Sequence, residues 1–554
     1  MSVRDRGAGP AVARPEDPAL ARGRAERRTL QVRCPADSRL VGTCLIDDPA
    51  EVVRRAQALR EAQPQWEALG PDGRRRWFDL LRDWLCDHAD ELSALLQAET
   101  GKARRDAEIE VPVLLDHLRW IGGNAGDWLA PQRRRPHGAT VVGKELHLLY
   151  RPHPLVGIIS PWNFPLGLAF MDAIPALAAG CAVLIKPSEE TPLTVAEVVR
   201  GWREDLGAPP ILDRVVGDAG TGEALVDAVD FVQFTGSTKT GRLVARRAAE
   251  QLKPYGMELG GKDPMIVMRD ADLARAAAGA AFGGLMNSGQ TCVSVERIYV
   301  EDAVYDDFLH LLEQEVAAVR QGAGDVRQRF DLGAMATAAQ LRHVEEQVRD
   351  AVSRGAVVRC GGTCLDGEGD FFAPTILSEV DHSMPLMQEE TFGPVLPVMR
   401  VSGLEEAITL ANDSHYGLSA SVWTRDLERG RAIASRLDCG AVNVNDVLAN
   451  LQAASLPHGG WKTSGIGARM GGAAGVQKYC RQQAVVVARL PLRREPHWYP
   501  TTPWKGALIG ALLRALGGRG RRRLPACRGA APARTRRGRS HEHDGVARRA
   551  LRRT

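Results

Sequence analysis

The sequence lacks the cysteine arrangement of a disulfide-stabilised or zinc-binding protein. Its ten cysteines are scattered singly from Cys34 to Cys527. The closest pair, Cys360 and Cys364, has no further His or Cys at the spacing of a zinc site. Because exported proteins usually carry paired cysteines, we expect a cytoplasmic protein, and we expect no metal site.

Long apolar runs are also missing. No stretch reaches the roughly 18 apolar residues that a membrane span requires, and the charged, Pro- and Ala-rich start of the chain is unlike a secretory signal. The content of 44% hydrophobic and 25% charged residues is typical of a globular protein in water. At 554 residues the chain exceeds the size of one hydrophobic core, so we expect two or more domains.

Acidic residues are scarce only at the end of the chain. Residues 518–554 carry 13 Arg against Glu542 and Asp544, a local balance of +11, so the formal net charge of +4 leaves −7 for residues 1–517. This tail is either a disordered appendage or a weak anchor on an acidic membrane or a nucleic acid. Before it, residues 505–517 have apolar side chains at helical spacing, which suits an interfacial helix or a helix packed on its own domain.

The pattern between the two ends is that of an α/β protein. Residues 1–30 are rich in Arg, Ala and Pro, and we expect them to be disordered. Helical periodicity covers about 49–130, and the alternation at 143–150 indicates a hairpin strand. Short β-rich runs then alternate with helical ones, which indicates βαβ units on parallel sheets. The predicted strands are 156–159, 182–185, 214–216, 231–234, 263–268, 297–300, 394–398, 420–423 and 484–488, the last able to pair with the hairpin.

The usual dinucleotide fingerprint, G-x-G-x-x-G after a strand, is absent. Instead Gly236 and Ser237 follow a predicted strand and open a helix, where backbone N–H groups can bind a pyrophosphate, although a plain helix N-cap has the same pattern. At another strand end, Lys186 and Glu189 can hold the hydroxyls of an adenosine ribose. A carboxylate there repels a 2′-phosphate, so we expect NAD as the cofactor, with NADP as the alternative.

A thiol and a carboxylate lie in glycine-rich settings that are unusual for buried or surface residues. Cys292 ends the run Asn-Ser-Gly-Gln-Thr-Cys, and Glu258 stands 34 residues upstream in Met-Glu-Leu-Gly-Gly-Lys. A thiolate can attack an aldehyde, and a carboxylate can then draw a proton from water to release an acid. An isolated Cys is usually a small hydrophobe and a lone Glu usually a solvated residue, but the small neighbours here allow close approach of a substrate.

Nine motifs, in order along the chain, resemble those of the NAD(P)-dependent aldehyde dehydrogenase superfamily. They are Glu99–Lys102, Ser160–Pro165, Ile185–Glu189, Phe234–Thr238, Met257–Lys262, Asn287–Cys292, Glu389–Val395, Asn412–Leu418 and Gly459–Gly467. The resemblance covers about residues 41–487. It implies a Rossmann-like cofactor domain (31–136 and 155–259), an α/β catalytic domain (260–440) and a return segment (441–474). It also implies a small β sheet for a homodimer or homotetramer (137–154 and 475–490), and it leaves 491–554 as a C-terminal extension.

The resemblance also implies roles for individual residues. Cys292 would attack the carbonyl, and the side-chain amide of Asn163 with the Cys292 N–H would hold the oxyanion. Glu258 would activate the hydrolytic water, and since branches that transfer the acyl group to coenzyme A do not keep this glutamate, we expect a free carboxylic acid. The implied cofactor residues are Lys186 and Glu189 for the adenosine ribose, Gly236 and Ser237 for the pyrophosphate, Glu390 and Phe392 for the nicotinamide end, and Trp162 as a loop-shaping neighbour. Lys262 is interpreted as completing a turn.

The substrate is less well specified by the sequence. Residues 294–301 and 498–504 look like a bacterial succinate-semialdehyde dehydrogenase branch. Better-known succinate-semialdehyde dehydrogenases bind the distal carboxylate of the substrate with two arginines, but the matching positions here are Met171 and Met286. The expected pocket residues are Leu168, Met171, Met286, Thr291 and Val293, which favour an apolar aldehyde, with succinate semialdehyde as the alternative. An alternative of another class is an anchoring protein that its basic tail docks to a membrane or a nucleic acid.

Two further positions depart from the family pattern. The usual Pro-Phe-Gly-Gly has His458 in place of Phe, and the expected Arg-Glu after Gly467 is Ala468-Arg469. We expect the first change to alter the wall of the substrate tunnel and the second to alter local packing.

Overall fold

The computed structural model describes residues 28–137, 141, 143–323, 329–489, 491, 493–495 and 497–517. The predicted N-terminal extension, apart from its last three residues, and the Arg-rich tail lie outside these described residues. Thr29 and Leu30 do not belong to a disordered segment, because they pair with Leu45 and Cys44 in a hairpin.

Helices make up the first third of the described chain and then alternate with strands. The helices are α1 Pro49–Ala68, α2 Gly70–Asp87, α3 Ala89–Thr100, α4 Arg104–Glu108, α5 Glu110–Leu129, α6 Pro165–Ala179, α7 Leu193–Arg200, α8 Ala219–Ala228, α9 Thr238–Glu250, α10 Leu273–Leu285, α11 Tyr305–Ala317, α12 Ala338–Ser353, α13 Pro385–Gln388, α14 Leu404–Asn412, α15 Leu427–Ala434, α16 Ala473–Gln477 and α17 Pro503–Gly517.

Twenty strands form the sheets of the described residues. They are β1 Thr29–Arg33, β2 Leu40–Leu45, β3 Gln132–Arg134, β4 Lys144–Pro152, β5 Leu155–Ile159, β6 Ala182–Lys186, β7 Leu212–Arg214, β8 Phe231–Thr235, β9 Tyr255–Glu258, β10 Asp263–Val267, β11 Val295–Glu301, β12 Val357–Cys360, β13 Thr375–Ser378, β14 Val395–Val401, β15 Ser419–Trp423, β16 Ala441–Val444, β17 Pro457–His458, β18 Gly465–Ile466, β19 Arg469–Met470 and β20 Cys480–Ala488.

A six-stranded sheet has the order β18-β9-β8-β5-β6-β7, and every pairing except β18 with β9 is parallel. Its strands are almost wholly buried apolar runs, as expected for a parallel sheet covered by helices on both faces. The carboxyl ends of parallel strands share one edge, so residues 160–163, Lys186, Thr235 and Glu258 all reach that edge. The predicted strand at 214–216 lies two residues earlier, because Val216 instead donates its N–H to Asp47.

A seven-stranded sheet has the order β12-β13-β14-β11-β10-β15-β16. It is parallel except for the edge pair β12–β13. Two apolar clusters, one built around Ile298 and Leu396 and the other around Tyr299 and Val422, contain side chains from this sheet and its neighbouring helices. The predicted catalytic segment therefore extends slightly beyond residue 440, to the end of β16.

A three-stranded sheet has the order β20-β4-β3. The described residues among 132–148 and 484–517 form a compact unit of their own. The strand predicted at 484–488 belongs to β20 and thus lies beside β4, the predicted hairpin strand. Two details differ from the prediction. Residues 473–477 are helical, and the sheet also contains β3, where Gln132 pairs with Leu148. Among the described helices, none combines the length and the apolar content needed to cross a bilayer.

Candidate active site

Cys292 lies at the end of a loop with a left-handed backbone. Asn287, Ser288 and Gly289 have φ values of 55°, 56° and 74°. A side chain at Gly289 would lie 2.0 Å from the carbonyl oxygen of Gly393, so only glycine fits there. The loop is fixed by buried polar contacts, including the hydrogen bond of 2.9 Å from Ser288 Oγ to the carbonyl oxygen of Gly333. The nucleophile is therefore held by a strained, closely packed backbone.

The Cys292 sulfur lies where two cavities meet. One cavity of about 220 Å³ is lined by Asn163, Gly236, Ser237, Glu258 and Glu390, among others. The second, of about 250 Å³, is lined mainly by apolar side chains, and Cys292 and Leu168 line both. Burial raises the pKa of the Cys292 thiol well above its ordinary value, and the negative charge of Glu258 raises it further. Formation of the thiolate thus requires assistance from neighbouring groups.

Asn163 lies beside Cys292 in the loop after β5. The side-chain Nδ2 of Asn163 donates to the backbone carbonyl oxygen of Gln290 over 3.0 Å. The backbone carbonyl oxygen of Asn163 accepts from Lys102 Nζ over 2.6 Å and from Asn287 Nδ2 over 3.0 Å. The amide nitrogen carries a second hydrogen. An N–H donor fixed next to the nucleophile is the arrangement that an oxyanion hole requires.

Glu258 is buried at the end of β9, and the side chains of Arg469 and His458 lie against its carboxylate. Arg469 Nη1 lies 3.1 Å from Oε2, and His458 Nε2 lies 3.6 Å from Oε1, which is longer than a normal hydrogen bond. Burial favours the neutral acid, but His458 and Arg469 outweigh it and hold the pKa of Glu258 below its ordinary value. The buried Arg469 also forms a 2.7 Å ion pair with Asp172. The two departures from the family pattern therefore meet at one carboxylate.

The polar cavity has the features of a dinucleotide site. Ser237 caps α9, where its Oγ accepts from the N–H of Thr240 over 3.3 Å. A side chain at Gly236 would lie 2.8 Å from the Phe234 ring, and one at Gly260 would lie 2.5 Å from Glu390 Oε2, so either would displace its neighbour in the cavity wall. A helix N-terminus beside small residues fits a pyrophosphate. The residues present therefore fit NAD or NADP.

Lys186 and Glu189 lie at the end of β6, outside the lining of the polar cavity. Lys186 Nζ lies 3.2 Å from Glu189 Oε2 and is buried, whereas the Glu189 side chain is 48% exposed. An exposed carboxylate fixed by a buried ammonium can accept hydrogen bonds from two ribose hydroxyls.

The loop that carries Glu390 and Phe392 is held by a buried ion pair that sequence reasoning missed. Lys262 Nζ lies 2.7 Å from Glu296 Oε2, and the Glu296 carboxylate accepts from the N–H groups of Thr391 and Phe392, each over 2.8 Å. Lys262 therefore does more than complete a turn. The signal was present: a Lys and a Glu 34 residues apart, each beside a catalytic motif.

Phe392 and Glu390 project into the polar cavity. The Phe392 ring packs edge-on against Trp162 with centroids 5.4 Å apart, and its φ of 51° is strained for a non-glycine residue. Burial and the nearby charge of Glu296 raise the pKa of Glu390 to about 8. Its Oε1 accepts from the N–H of Gly261 over 2.9 Å.

Four of the five expected pocket residues line the apolar cavity: Leu168, Met171, Met286 and Thr291. Val293 does not. It is buried in an apolar cluster of the seven-stranded sheet, because Cys292 and Val293 are the two central residues of a turn that the Ser294 N–H closes on the Thr291 carbonyl oxygen. Of the other lining residues, Phe164 belongs to the Ser160–Pro165 motif. The rest come from segments that the sequence did not single out, namely Ile109, Glu110, Val113, Gly167, Phe282, Asp446, Val447, Leu448, Ala449, Leu451 and Gln452.

Comparison with known proteins identifies the family of this chain. The family model described as the aldehyde dehydrogenase family matches residues 22–485. The chain belongs to the aldehyde dehydrogenase family. This aldehyde dehydrogenase is therefore an oxidoreductase that acts on aldehydes, in a family that binds NAD(P), and the predicted family and fold class are confirmed.

Three relatives illustrate the range of the similarity. The enzyme is 38% identical over 475 residues to the 4,4'-diapolycopene aldehyde oxidase of a Methylomonas species, which covers 85% of this chain and 88% of that protein. It is also 38% identical over 483 residues to a Mycolicibacterium smegmatis protein named "Putative succinate-semialdehyde dehydrogenase" with NADP(+), covering 86% and 91%. The crystal structure of lactaldehyde dehydrogenase from Escherichia coli superimposes with a TM-score of 0.80 at 33% identity, covering 84% and 96%.

Proposed function

We propose that this aldehyde dehydrogenase oxidises an apolar aldehyde to the free carboxylic acid, with NAD as the cofactor. The observation that carries the proposal is the position of Cys292 between a polar cavity built for a dinucleotide and a second cavity with an apolar wall. A substrate carbonyl entering from the apolar side would meet the sulfur opposite the cofactor side.

The first half of the reaction uses Cys292 and Asn163. The Cys292 thiolate attacks the carbonyl carbon to form a thiohemiacetal, and the Asn163 amide with the Cys292 N–H stabilises the charge that develops on oxygen. Removal of one such donor typically costs about 3 kcal/mol of transition-state stabilisation. NAD, held by the residues that line the polar cavity, would supply the hydride acceptor for oxidation of the thiohemiacetal to a thioester.

The second half of the reaction releases the product. Glu258 takes a proton from water, the hydroxide attacks the thioester carbonyl, and the Cys292 sulfur leaves with its electron pair. Because His458 and Arg469 hold the pKa of Glu258 down, this base is ionised at neutral pH.

The apolar cavity favours a substrate without a distal charge. None of its lining residues, all of them described, is Lys, Arg or His. Two of them, Glu110 and Asp446, are acids, and Glu110 is already engaged by Lys102 Nζ over 2.8 Å and by the N–H groups that begin α6. A carboxylate of succinate semialdehyde would therefore enter an apolar space with no cation to pair with.

A matched pair of substrates tests the proposal. NADH formation is measured with purified enzyme, pentanal and succinate semialdehyde, which differ mainly in the distal carboxylate. We expect kcat/KM to be higher for pentanal by about 10-fold or more, as removal of an unpaired buried charge predicts. A higher kcat/KM for succinate semialdehyde would establish the alternative activity. Failure to form NADH or NADPH with any aldehyde would overturn the proposal as a whole.

The edge strand β20 supports assembly into a homodimer or homotetramer. It lies at one side of the β20-β4-β3 sheet, and Val486 and Val487 are 61% and 44% exposed. An edge with unpaired backbone groups and apolar side chains fits a second copy of the same strand. Light scattering of the wild type and of Val486→Lys tests this, and an unchanged monomeric mass for both would contradict it.

A second candidate role, peripheral binding to an acidic lipid surface, rests on α17. Helical spacing places Trp504, Leu508, Ile509, Leu512, Leu513 and Leu516 on one face, and no residue of the helix is buried. Its charged residues, Lys505 and Arg514, are both basic, and 13 Arg follow in the sequence. Flotation with phosphatidylserine vesicles should capture the full chain but neither a chain ending at Pro503 nor a Leu508→Ser/Leu513→Ser variant. Equal flotation of all three would exclude this role.

A further inference from the structure

We propose that His458 is a positioning residue of the reaction centre, whose imidazole N–H holds the Glu258 carboxylate beside Cys292 and then stabilises the Cys292 thiolate. The inference rests on the proposed reaction of Cys292 and deepens it. His458 lines neither cavity, so it acts through the two residues that do.

The backbone brings the two unusual residues of the site together. His458 ends β17, and it pairs directly with Arg469 of β19 in an antiparallel ladder. Both side chains are buried against Glu258, one at each carboxylate oxygen. A nitrogen of the imidazole, a Glu258 oxygen and the Cys292 sulfur all lie within 4.8 Å of one another.

The hydrogen-bond network fixes which imidazole nitrogen carries the proton. The N–H of Asn450 donates to Asn443 Oδ1 over 3.2 Å, and Asn443 Nδ2 donates to Asn450 Oδ1 over 3.0 Å. These two bonds orient the side-chain amides of Asn443 and Asn450. In this orientation the Asn450 atom that lies 3.5 Å from His458 Nδ1 is Nδ2, which is a donor. Nδ1 is then the acceptor, and the neutral ring carries its hydrogen on Nε2, the nitrogen closest to Glu258.

The Nε2–H of His458 and Oε1 of Glu258 lie opposite each other, 3.6 Å apart between the nitrogen and the oxygen. Both atoms are buried, and neither has a hydrogen-bond partner at normal distance among the described residues. Buried polar atoms without a partner are costly, so closing the 3.6 Å separation by a few tenths of an ångström is favourable.

The charges around Cys292 explain why such a donor is needed. Glu258, Asp263 and Glu390 raise the pKa of the Cys292 thiol, and Arg469 lowers it. Activation moves the thiol proton to the Glu258 carboxylate: the S–H bond breaks, its electron pair stays on sulfur, and an O–H bond forms. The negative charge has then moved from Glu258 to Cys292, and a nitrogen of the His458 imidazole lies within 4.8 Å of both the carboxylate oxygen and the sulfur.

Alkylation of Cys292 by iodoacetamide, followed from pH 5.5 to 10 on the full-length enzyme with EDTA present, tests this role without turnover. His458→Phe removes the donor, and His458→Gln keeps an N–H near the position of Nε2. His153→Phe is the matched control, because His153 is also buried but lines neither cavity. Cys292→Ser identifies the signal that belongs to Cys292.

We expect His458→Phe to slow alkylation at pH 7.5 by about 10-fold and to move its pH profile upward by about one unit, as loss of one hydrogen bond to a charged sulfur predicts. His458→Gln should recover at least half of the shift, and His153→Phe should match the wild type. A His458→Phe profile that coincides with the wild type overturns the inference. So does an equal loss in both His458 variants with no shift of the profile, which would indicate a structural role only. The proposed function fails separately, in the aldehyde assays.

Discussion

The two cavities that meet at Cys292 are built by different physical means. The polar cavity is shaped by ion pairs and strained backbone: Lys262 and Glu296 hold the loop of Phe392, and glycine at 236 and 260 leaves room beside it. The apolar cavity is shaped by side-chain volume from α4–α5, α6, α10 and the segment after β16. A polar site of this kind tolerates little change in charge, whereas an apolar one tolerates changes in shape. We therefore expect the polar cavity, which binds the cofactor, to be the rigid half of the site. The apolar cavity, which selects the substrate, is the adaptable half.

Cys292→Ser should have the largest effect, because it removes the group that both cavities share. We expect kcat to fall by at least about 10³-fold, since a serine hydroxyl loses its proton far less readily than a thiol and is a much weaker nucleophile at neutral pH. NAD binding, measured by quenching of tryptophan fluorescence, should remain within about 2-fold of the wild type because the polar cavity is unchanged. Wild-type turnover in this variant would end the thioester mechanism.

Lys262→Met tests the rigid half alone. It leaves Glu296 buried without its cation, so the free energy of unfolding in urea should fall by about 3–5 kcal/mol. Adding Glu296→Gln should recover part of this loss, because the stranded charge is then removed. If the single variant were as stable as the wild type, the ion pair would not hold the loop of Phe392.

Met171→Arg and Met286→Arg test the adaptable half. Each introduces a cation into the apolar cavity, so kcat/KM for succinate semialdehyde should rise relative to that for pentanal by about 10-fold. Met171→Leu and Met286→Leu are the matched controls and should leave the ratio unchanged. The comparison of the two cavities would be wrong if the arginine variants altered the KM for NAD and left the substrate ratio unchanged.

Glu189→Gln tests the outer end of the polar half. Loss of the carboxylate removes its repulsion of the 2′-phosphate of NADP and weakens the hydrogen bonds to the ribose hydroxyls of NAD. The ratio of kcat/KM for NAD to that for NADP should fall by about 10-fold. If the wild type preferred NADP, the assignment of Glu189 as a determinant for NAD would be wrong.

The smallest expected effect is a pH dependence of cofactor affinity. Glu390 has its pKa raised to about 8 by burial and by Glu296, so its carboxylate form, the better acceptor for ribose hydroxyls, is gained as pH rises through that value. The KM for NAD should therefore fall about 2- to 3-fold between pH 7 and 9. Glu390→Gln should abolish this change, and a KM that rises with pH in the wild type would contradict the assignment.

The sequence was informative where local chemistry repeats a known motif. The α/β pattern, most of the strand positions and the presence of Cys292 and Glu258 beside one cavity could be predicted, because hydrophobic periodicity and short glycine-rich motifs carry that information. Val293 could not be placed, since a turn closed between Thr291 and Ser294 decides the direction of its side chain. The contact of His458 and Arg469 with Glu258 was also missed, because it depends on the pairing of two very short strands, β17 and β19.

The most direct test of the central claim is the mass of the Cys292 peptide after a single turnover. Glu258→Gln is incubated with NAD and pentanal, quenched in acid, digested and analysed by mass spectrometry. We predict NADH equal to the active sites and one acyl group on the peptide containing Cys292, because the thioester still forms, though more slowly without the carboxylate that takes the thiol proton, and is not hydrolysed. Stoichiometric NADH with an unmodified Cys292 peptide, or an acyl group on another residue, would contradict the account.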